Sequence, residues 1–300
     1  MGAYRQGRGA RRGAARRLTM ATRSRFRLSF EFFPPKTDKG QVALLATATQ
    51  LERSHPEFFS VTYGAGGSTR DRTFETVAAL AGARHAVAPH LSMGTDSETA
   101  VKTVVDRYRA LGIERMVALR GDIPSGFGNP RHVGYAVNLV SLLRAHLGSE
   151  FEIEVAAYPE VHPDAESPAR DIEHFRRKVA AGASGAITQY FYNADAYFDF
   201  VARANVAVPI VPGIMPITSY TNLVRFSDGC GAEIPRWIRQ RLAAYQDDDA
   251  SLRAFGADVV TSMCQRLIDG GAPGLHFYTL NQTAPTQAVL DRIALPDAHG

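Results

Sequence analysis

Apolar positions along the chain fall into short runs separated by longer amphipathic stretches at a nearly constant interval. The runs at 28–33, 57–63, 86–91, 115–119, 152–158, 186–191, 208–212 and 274–279 predict strands. Between them, apolar residues recur at helical spacing over 40–53, 72–82, 97–111, 134–147, 168–181, 194–204, 219–228 and 250–269, with an extra helix at 235–244. Strand followed by helix, about eight times without a Pro/Gly/Ser-rich linker, predicts an α/β fold of the (β/α)8 TIM-barrel type, with a doubly wound open sheet as the rival.

Composition adds a sizeable core, at 45% hydrophobic residues. Charge changes the picture more. The formal net charge of +4 is misleading, because residues 1–27 hold nine of the 34 basic residues and no acid, leaving 25 basic against 30 acidic, or −5, for the rest. The basic character belongs to a tail, and the body carries no nucleic-acid footprint. Residues 1–24, rich in Gly, Ala and Arg, are expected to be disordered, with 25–296 forming a single barrel domain. That start lacks the apolar segment of a secretory signal. It resembles an organelle transit peptide; the alternative is that Met20 is the true start. No run approaches the ~18 apolar residues of a membrane span. Cys230 and Cys264 lie outside any metal or CxxC spacing, which predicts free thiols in a reducing cytoplasm. His90 and His162 lack the spacing of a zinc pair, so no metal is expected.

Candidate chemistry gathers at strand ends. Leu28 to Lys36 places one carboxylate, Glu31, inside an aromatic strand that stops at a double proline. Alternation sends Phe30 and Phe32 to one face and Ser29, Glu31 and Phe33 to the other. In that setting a carboxyl loses hydration and its neutral form gains weight, which suits a proton donor; a strand-end salt bridge is the alternative. Thr62 and Tyr63 end the second run, His90 the third, Arg120-Gly121-Asp122 follow the fourth, Tyr158 ends the fifth and Gln189 lies in the sixth. In a barrel these ends converge on one mouth. The loop Gly64 to Arg72 could offer backbone N–H groups to phosphate, or be a mobile glycine loop with Asp71 capping the next helix. Asp122 would sit beside a bound ligand, or pair with Arg120 to fix the Gly/Pro loop that follows. Asp171, His174, Arg177 and Lys178 share one face of a predicted helix, suited to a ribose hydroxyl and a diphosphate or to a solvated salt-bridged surface.

In order along the chain, SFEFFPPK, SVTYGA, APHL, ALRGDIP, AAYPEVHP, RRKVAAGA, AITQYFY, PGIMPI and HFYTLN resemble the methylenetetrahydrofolate reductase family over residues 28–281. The resemblance implies a TIM barrel with FAD at its mouth, NADH or NADPH as donor, a folate acceptor, a homo-oligomer, and no C-terminal regulatory domain of the eukaryotic kind. It makes Glu31 the acid that protonates the folate and opens its five-membered ring to an iminium, Asp122 a modulator of the flavin, and Gln189 a contact for substrate and nicotinamide in turn. FAD would be held by Thr62, Tyr63, Ala65, His90, Arg120, Gly121, Asp122, Tyr135, Ala136, Tyr158, His162, Ala165, Asp171, His174, Arg177 and Lys178. Hydride would pass from the nicotinamide to the flavin and then to the folate, in a ping-pong cycle. Three departures stand out: His174 where relatives often have Asn, Asn222 for a substrate-binding Gln, and Gln282 where an Arg is common. The last leaves the grip on the folate's glutamate tail open. The rival readings are a flavin- or folate-binding barrel without turnover and a flavin-linked barrel dehydrogenase acting on another amine.

Overall fold

The computed structural model describes residues 26–63, 70–94, 96–120 and 135–296. Strand and helix alternate from β1 (Arg27–Phe32) and α1 (Asp38–Leu51) through β2 (Phe58–Val61), α2 (Arg70–Gly82), β3 (Val87–Ser92), α3 (Glu98–Ala110), β4 (Arg115–Leu119) and α4 (Ala136–Leu147). The pattern continues with β5 (Glu152–Ala157), α5 (Pro168–Ala180), β6 (Gly185–Thr188) and α6 (Ala194–Ala204). Two short strands, β7 (Ile210–Val211) and β8 (Gly213–Ile214), precede α7 (Tyr220–Cys230), α8 (Arg236–Ala244) and α9 (Asp249–Asp269), and β9 (Gly274–Tyr278) and α10 (Ala284–Leu290) finish the fold. Several helices start where a side chain satisfies an otherwise orphaned N–H: Thr37 caps α1, Ser97 α3, Ser167 α5, Asn193 α6, Ser219 α7 and Asp248 α9.

Every strand pairs parallel to its neighbours, in the order β7-β6-β5-β4-β3-β2-β1-β9-β8. The predicted strand at 208–212 is instead two two-residue pieces around Pro212, which has no N–H to give a ladder. Its carbonyl still accepts from His276 N–H at 3.0 Å. Ile210 and Val211 pair with Ala186 and Ile187, while Gly213 and Ile214 pair with His276 and Phe277, so the two ends of the sheet meet and the fold is a (β/α)8 TIM barrel. Gly213 sits so close to β6 that a Cβ would lie 2.1 Å from the Thr188 carbonyl oxygen. The predicted strand at 186–191 ends at Thr188, whose hydroxyl accepts from Gly213 N–H at 2.9 Å and whose carbonyl accepts from Tyr278 Oη at 2.7 Å. α10 was not expected from the sequence.

Strand alternation separates two cores. Leu28, Phe30 and Phe32 of β1 join the main cluster between barrel and helices, while a smaller cluster of Phe58, Ala88, Val117 and Ile187 fills the interior. Beneath it, at the amino ends, lies a charge network. Arg27 pairs with Glu154 and, at 2.7 Å, with Glu57; Arg115 reaches Glu154 at 3.0 Å and Glu57 at 2.5 Å and lies over the Phe58 ring. Glu154 is wholly buried, and a Cβ on residue 185 would come within 2.3 Å of its Oε2, so only glycine fits there. Burial alone would raise the Glu57 carboxyl, but the hydrogen bond from Arg27 and the charge of Arg115 outweigh it and hold it below the usual range.

Candidate active site

Glu31 projects into the barrel near the carboxyl ends, in register with Ser60 of β2 and Tyr278 of β9. Its side chain is 16% exposed, and Oε2 lies 3.4 Å from His90 Nε2 and 3.6 Å from His276 Nε2. Both ring nitrogens are buried without a hydrogen-bond partner among the described residues, as is Ser60 Oγ. An unmade buried hydrogen bond costs about 1–3 kcal/mol, so three around one carboxylate mark a place where the fold tolerates instability. The other His276 nitrogen, Nδ1, shares a 2.7 Å hydrogen bond with Ser29 Oγ. Burial pushes His90 below its ordinary value, the Glu31 carboxylate opposing and His276 adding to the shift, so His90 is neutral at pH 7. Tyr278 stands edge-on to His276, and burial keeps its phenol protonated.

A second group lies where β5 leaves the barrel. Tyr158 meets the His162 ring edge-on at 4.5 Å. His162 N–H donates to Asp171 Oδ2 at 2.9 Å, and Asp164 N–H donates to His162 Nδ1 at 3.0 Å. Nδ1 therefore accepts, and in the neutral ring Nε2 carries the proton. Arg120 pairs with Asp164 at 2.6 Å. Burial and then the Arg120 guanidinium hold His162 below its ordinary value against Asp164 and Asp171. The preceding Val161 is left-handed, at φ 72°, a conformation costing a β-branched residue about 1–3 kcal/mol. Ala165 N–H closes the turn onto His162 O at 2.9 Å. On α5 the predicted basic face divides. Asp171 and Lys178 turn to the strand ends, Lys178 donating to the Ala156 carbonyl, while His174 and Arg177 are exposed and Arg177 pairs with Glu173. Burial pushes the Lys178 ammonium down to about 8, Asp171 opposing.

Of the remaining sequence candidates, Thr62 bonds through its backbone to Phe32 O at 2.9 Å and to Thr73 Oγ1 at 3.2 Å. The Tyr63 hydroxyl accepts from Arg70, itself paired with Asp96. Tyr135, 58% exposed, precedes α4, and Ala136 begins it. Gln189 follows β6 and its Oε1 accepts from Tyr190 N–H at 2.9 Å. Asn222 in the first turn of α7 and Gln282 beyond β9 are exposed. Leu280 and Asn281, both left-handed, bring the Asn281 amide back onto Phe33 N–H and O at 3.0 and 2.8 Å. Ala65, Gly121 and Asp122 lie outside the described residues, as do the tail and most of both glycine-containing loops. His276 was not singled out in the sequence, although alternation along β9 gives it the interior face. Among the described residues no group of three His, Cys, Asp or Glu is arranged to hold a metal, and no helix is long and apolar enough to cross a membrane. An apolar cavity of ≈ 150 Å³ lies between α9, α10 and Pro216–Thr218.

A solved structure of a Clostridium thermocellum protein described as binding two copies of 5-methyl-5,6,7,8-tetrahydrofolic acid shares this fold. Its TM-score is 0.63 at 17% identity, over 90% of this chain and 94% of that one. The chain is 36% identical over 284 residues to 5,10-methylenetetrahydrofolate reductase of Escherichia coli (strain K12), covering 93% of this chain and 95% of that protein. The corresponding Salmonella typhimurium enzyme is 37% identical over 266 residues, 87% of this chain and 88% of its own. Methylenetetrahydrofolate reductase (NADH) 1 of Arabidopsis thaliana is 35% identical over 90% of this chain but only 48% of its own length. The methylenetetrahydrofolate reductase family pattern matches residues 17–294. With a carboxylate and two imidazoles gathered at the carboxyl ends of its barrel, this chain belongs to the methylenetetrahydrofolate reductase family, oxidoreductases that reduce methylenetetrahydrofolate.

Proposed function

We propose that the protein reduces 5,10-methylenetetrahydrofolate to 5-methyltetrahydrofolate with bound FAD and NADH or NADPH as donor. It does so by a ping-pong cycle, in the cytoplasm, supplying methyl groups for methionine. The observation that carries the reading is Glu31 facing two otherwise unpartnered imidazole nitrogens in the mouth of a barrel of this family. The donor set beside β5 suits FAD. Arg120, His162 Nε2 and the Lys178 ammonium can meet a diphosphate, and Asp171, already holding the loop through His162 N–H, can accept from a ribose hydroxyl. When bound, the flavin supplies a two-electron carrier that the nicotinamide reduces and the folate reoxidises.

The chain's own residues handle the proton and the orientation. Glu31 delivers a proton to a nitrogen of the folate's five-membered ring, which opens the ring to the electrophilic iminium. In the tautomer in which Ser29 donates to His276 Nδ1, a proton on Nε2 faces Glu31 Oε2 and steadies the carboxylate left after transfer. Neutral His90 adds polarity on the other side without a competing positive charge. Gln189, at the end of β6, offers an amide to either substrate. The Arabidopsis relative's name carries NADH, which makes NADH the first donor to try.

The test is an anaerobic half-reaction titration. The purified protein is expected to be yellow, to bleach with NADH or NADPH, and to regain colour with methylenetetrahydrofolate. Bleaching without recovery would leave a binding protein without turnover, and recovery only with another amine or imine acceptor would change the substrate. Glu31→Gln should bleach normally and fail to recover; equal loss in both halves would remove Glu31 from the role of acid.

A further inference from the structure

The chain stays strand-like for one residue beyond β1. Backbone pairing with β9 reaches Glu31, whose carbonyl accepts from Thr279 N–H at 3.3 Å and from Thr279 Oγ1 at 2.6 Å. β9 then turns away through Leu280 and Asn281, left-handed at φ 50° and 58°, a conformation asparagine tolerates and leucine does not favour. The turn brings the Asn281 side-chain amide to where the next peptide of the ladder would stand. Its Oδ1 accepts from Phe33 N–H at 3.0 Å and its Nδ2 donates to the Phe33 carbonyl at 2.8 Å. A side-chain amide carries the same donor and acceptor as a peptide, so Phe33 is held as though the sheet continued for one more pair. Gln282 N–H on Thr279 O at 3.0 Å and Asn281 N–H on Thr279 Oγ1 at 3.1 Å close the turn from within.

This clamp presents a ring. Pro34 confines the residue before it to extended backbone, so strand alternation carries one step past Phe32. Phe32 is buried in the core outside the barrel, and Phe33 falls on the side of Glu31. Phe33 is 46% exposed and joins neither apolar cluster, although Phe30 and Phe32 on the same strand are buried. Two residues of strand set it about 6.6 Å outward from Glu31 along the mouth.

We infer that Phe33 is a substrate-contact residue that seats the aminobenzoyl ring of the folate, with Asn281 as its positioning residue. The inference rests on the reading of Glu31 as the acid. In methylenetetrahydrofolate one carbon bridges two nitrogens, and a methyl group left on the pterin nitrogen requires the bond to the other nitrogen to break. The nitrogen that takes the proton from Glu31 is therefore the one that bears the aminobenzoyl ring. With that nitrogen at Glu31, the attached ring extends outward, and Phe33 offers it an aromatic face or edge. A pterin without the aminobenzoyl group gains nothing from that contact.

The experiment compares anaerobic binding of two ligands to the holoenzyme: tetrahydrofolate, which carries no one-carbon unit and binds without turnover, and 6-methyltetrahydropterin, which lacks the aminobenzoyl group. Phe33→Ala should weaken tetrahydrofolate about tenfold and leave 6-methyltetrahydropterin within about twofold. KM for methylenetetrahydrofolate should rise in parallel, with kcat and the NADH half-reaction within about twofold. Phe33→Tyr should restore binding. Asn281→Ala should reproduce the shift, and the double variant should lose little more, because both changes remove one contact. Circular dichroism would establish that each variant folds. A folded Phe33→Ala protein that binds tetrahydrofolate as the wild type does overturns the inference, as does equal loss of the pterin. Loss confined to reduction by NADH overturns it too, making the ring a nicotinamide contact, and additive losses remove Asn281 from its role. Neither ligand needs Glu31 to transfer a proton, so a shift for tetrahydrofolate alone upholds the contact whatever the Glu31→Gln half-reactions show.

Discussion

At the amino end of the barrel, Arg27 and Arg115 converge on Glu57 and Glu154; at the carboxyl end, Glu31 faces His90 and His276 at distances too long for good hydrogen bonds. One strand, β1, supplies both groups, giving Arg27 to one and Glu31 to the other, with the Phe58, Ala88, Val117 and Ile187 layer between. Below that layer, each of two guanidiniums pairs with both carboxylates, and among the described residues one carboxylate oxygen, Glu154 Oε2, is left buried without a partner. Above it, two ring nitrogens and a serine hydroxyl are buried without partners among the described residues, around an acid. Paired buried charge fixes the fold, whereas unpaired buried polarity keeps hydrogen-bonding capacity for something that arrives later.

Four interventions would break or sharpen that contrast. Glu154→Ala takes from both guanidiniums at the closed end their wholly buried partner, leaving Glu57 alone to face two positive charges, and should cost about 3–5 kcal/mol, read from urea unfolding, while leaving the order of the half-reactions unchanged. His276→Asn, at the open end, should slow flavin reoxidation by folate about 10²-fold without altering reduction by NADH, and stability should move by no more than about 1.5 kcal/mol. Were this variant to unfold like Glu154→Ala, the distinction between the ends would fail. Flavin affinity should fall as pH rises through about 8, by up to about tenfold per unit, because Lys178 loses the charge that a diphosphate favours. Lys178→Met should flatten that slope in a fluorescence-quenching titration. The smallest effect belongs to Glu57. Its folded value lies below its ordinary 4.5, so its contribution to stability is complete above that pH and is lost as pH falls below it. Thermal melts from pH 6 to 3 should lose that slope in Glu57→Gln.

The barrel was legible because interior and exterior positions alternate along short apolar runs, and the same alternation turned Glu31 inward beside Ser29. What escaped was information held between strands. His276 lies opposite Ser29 only through the β1–β9 register, and a lone histidine in Gly-Leu-His-Phe-Tyr carries no local sign of that. Arg120 reaches Asp164 in the loop after the next strand, a partner that no local spacing announces. Helical spacing put Arg177 with Asp171 and Lys178, but a nearer carboxylate, Glu173, takes it to the solvent side. α10 is only seven residues long and opens on Pro285, which in the first turn of a helix is a starter.

Pro212 gives the barrel a clasp. Elsewhere each strand meets its neighbours over at least three paired positions, but around this proline the ring is fastened by two on one side and two on the other. Immediately downstream come Met215 to Thr218 and the helix that bears Asn222. His276 sits on this seam, its backbone N–H donating to the Pro212 carbonyl and its backbone paired with Gly213, so any slackening there reaches the imidazole that faces Glu31.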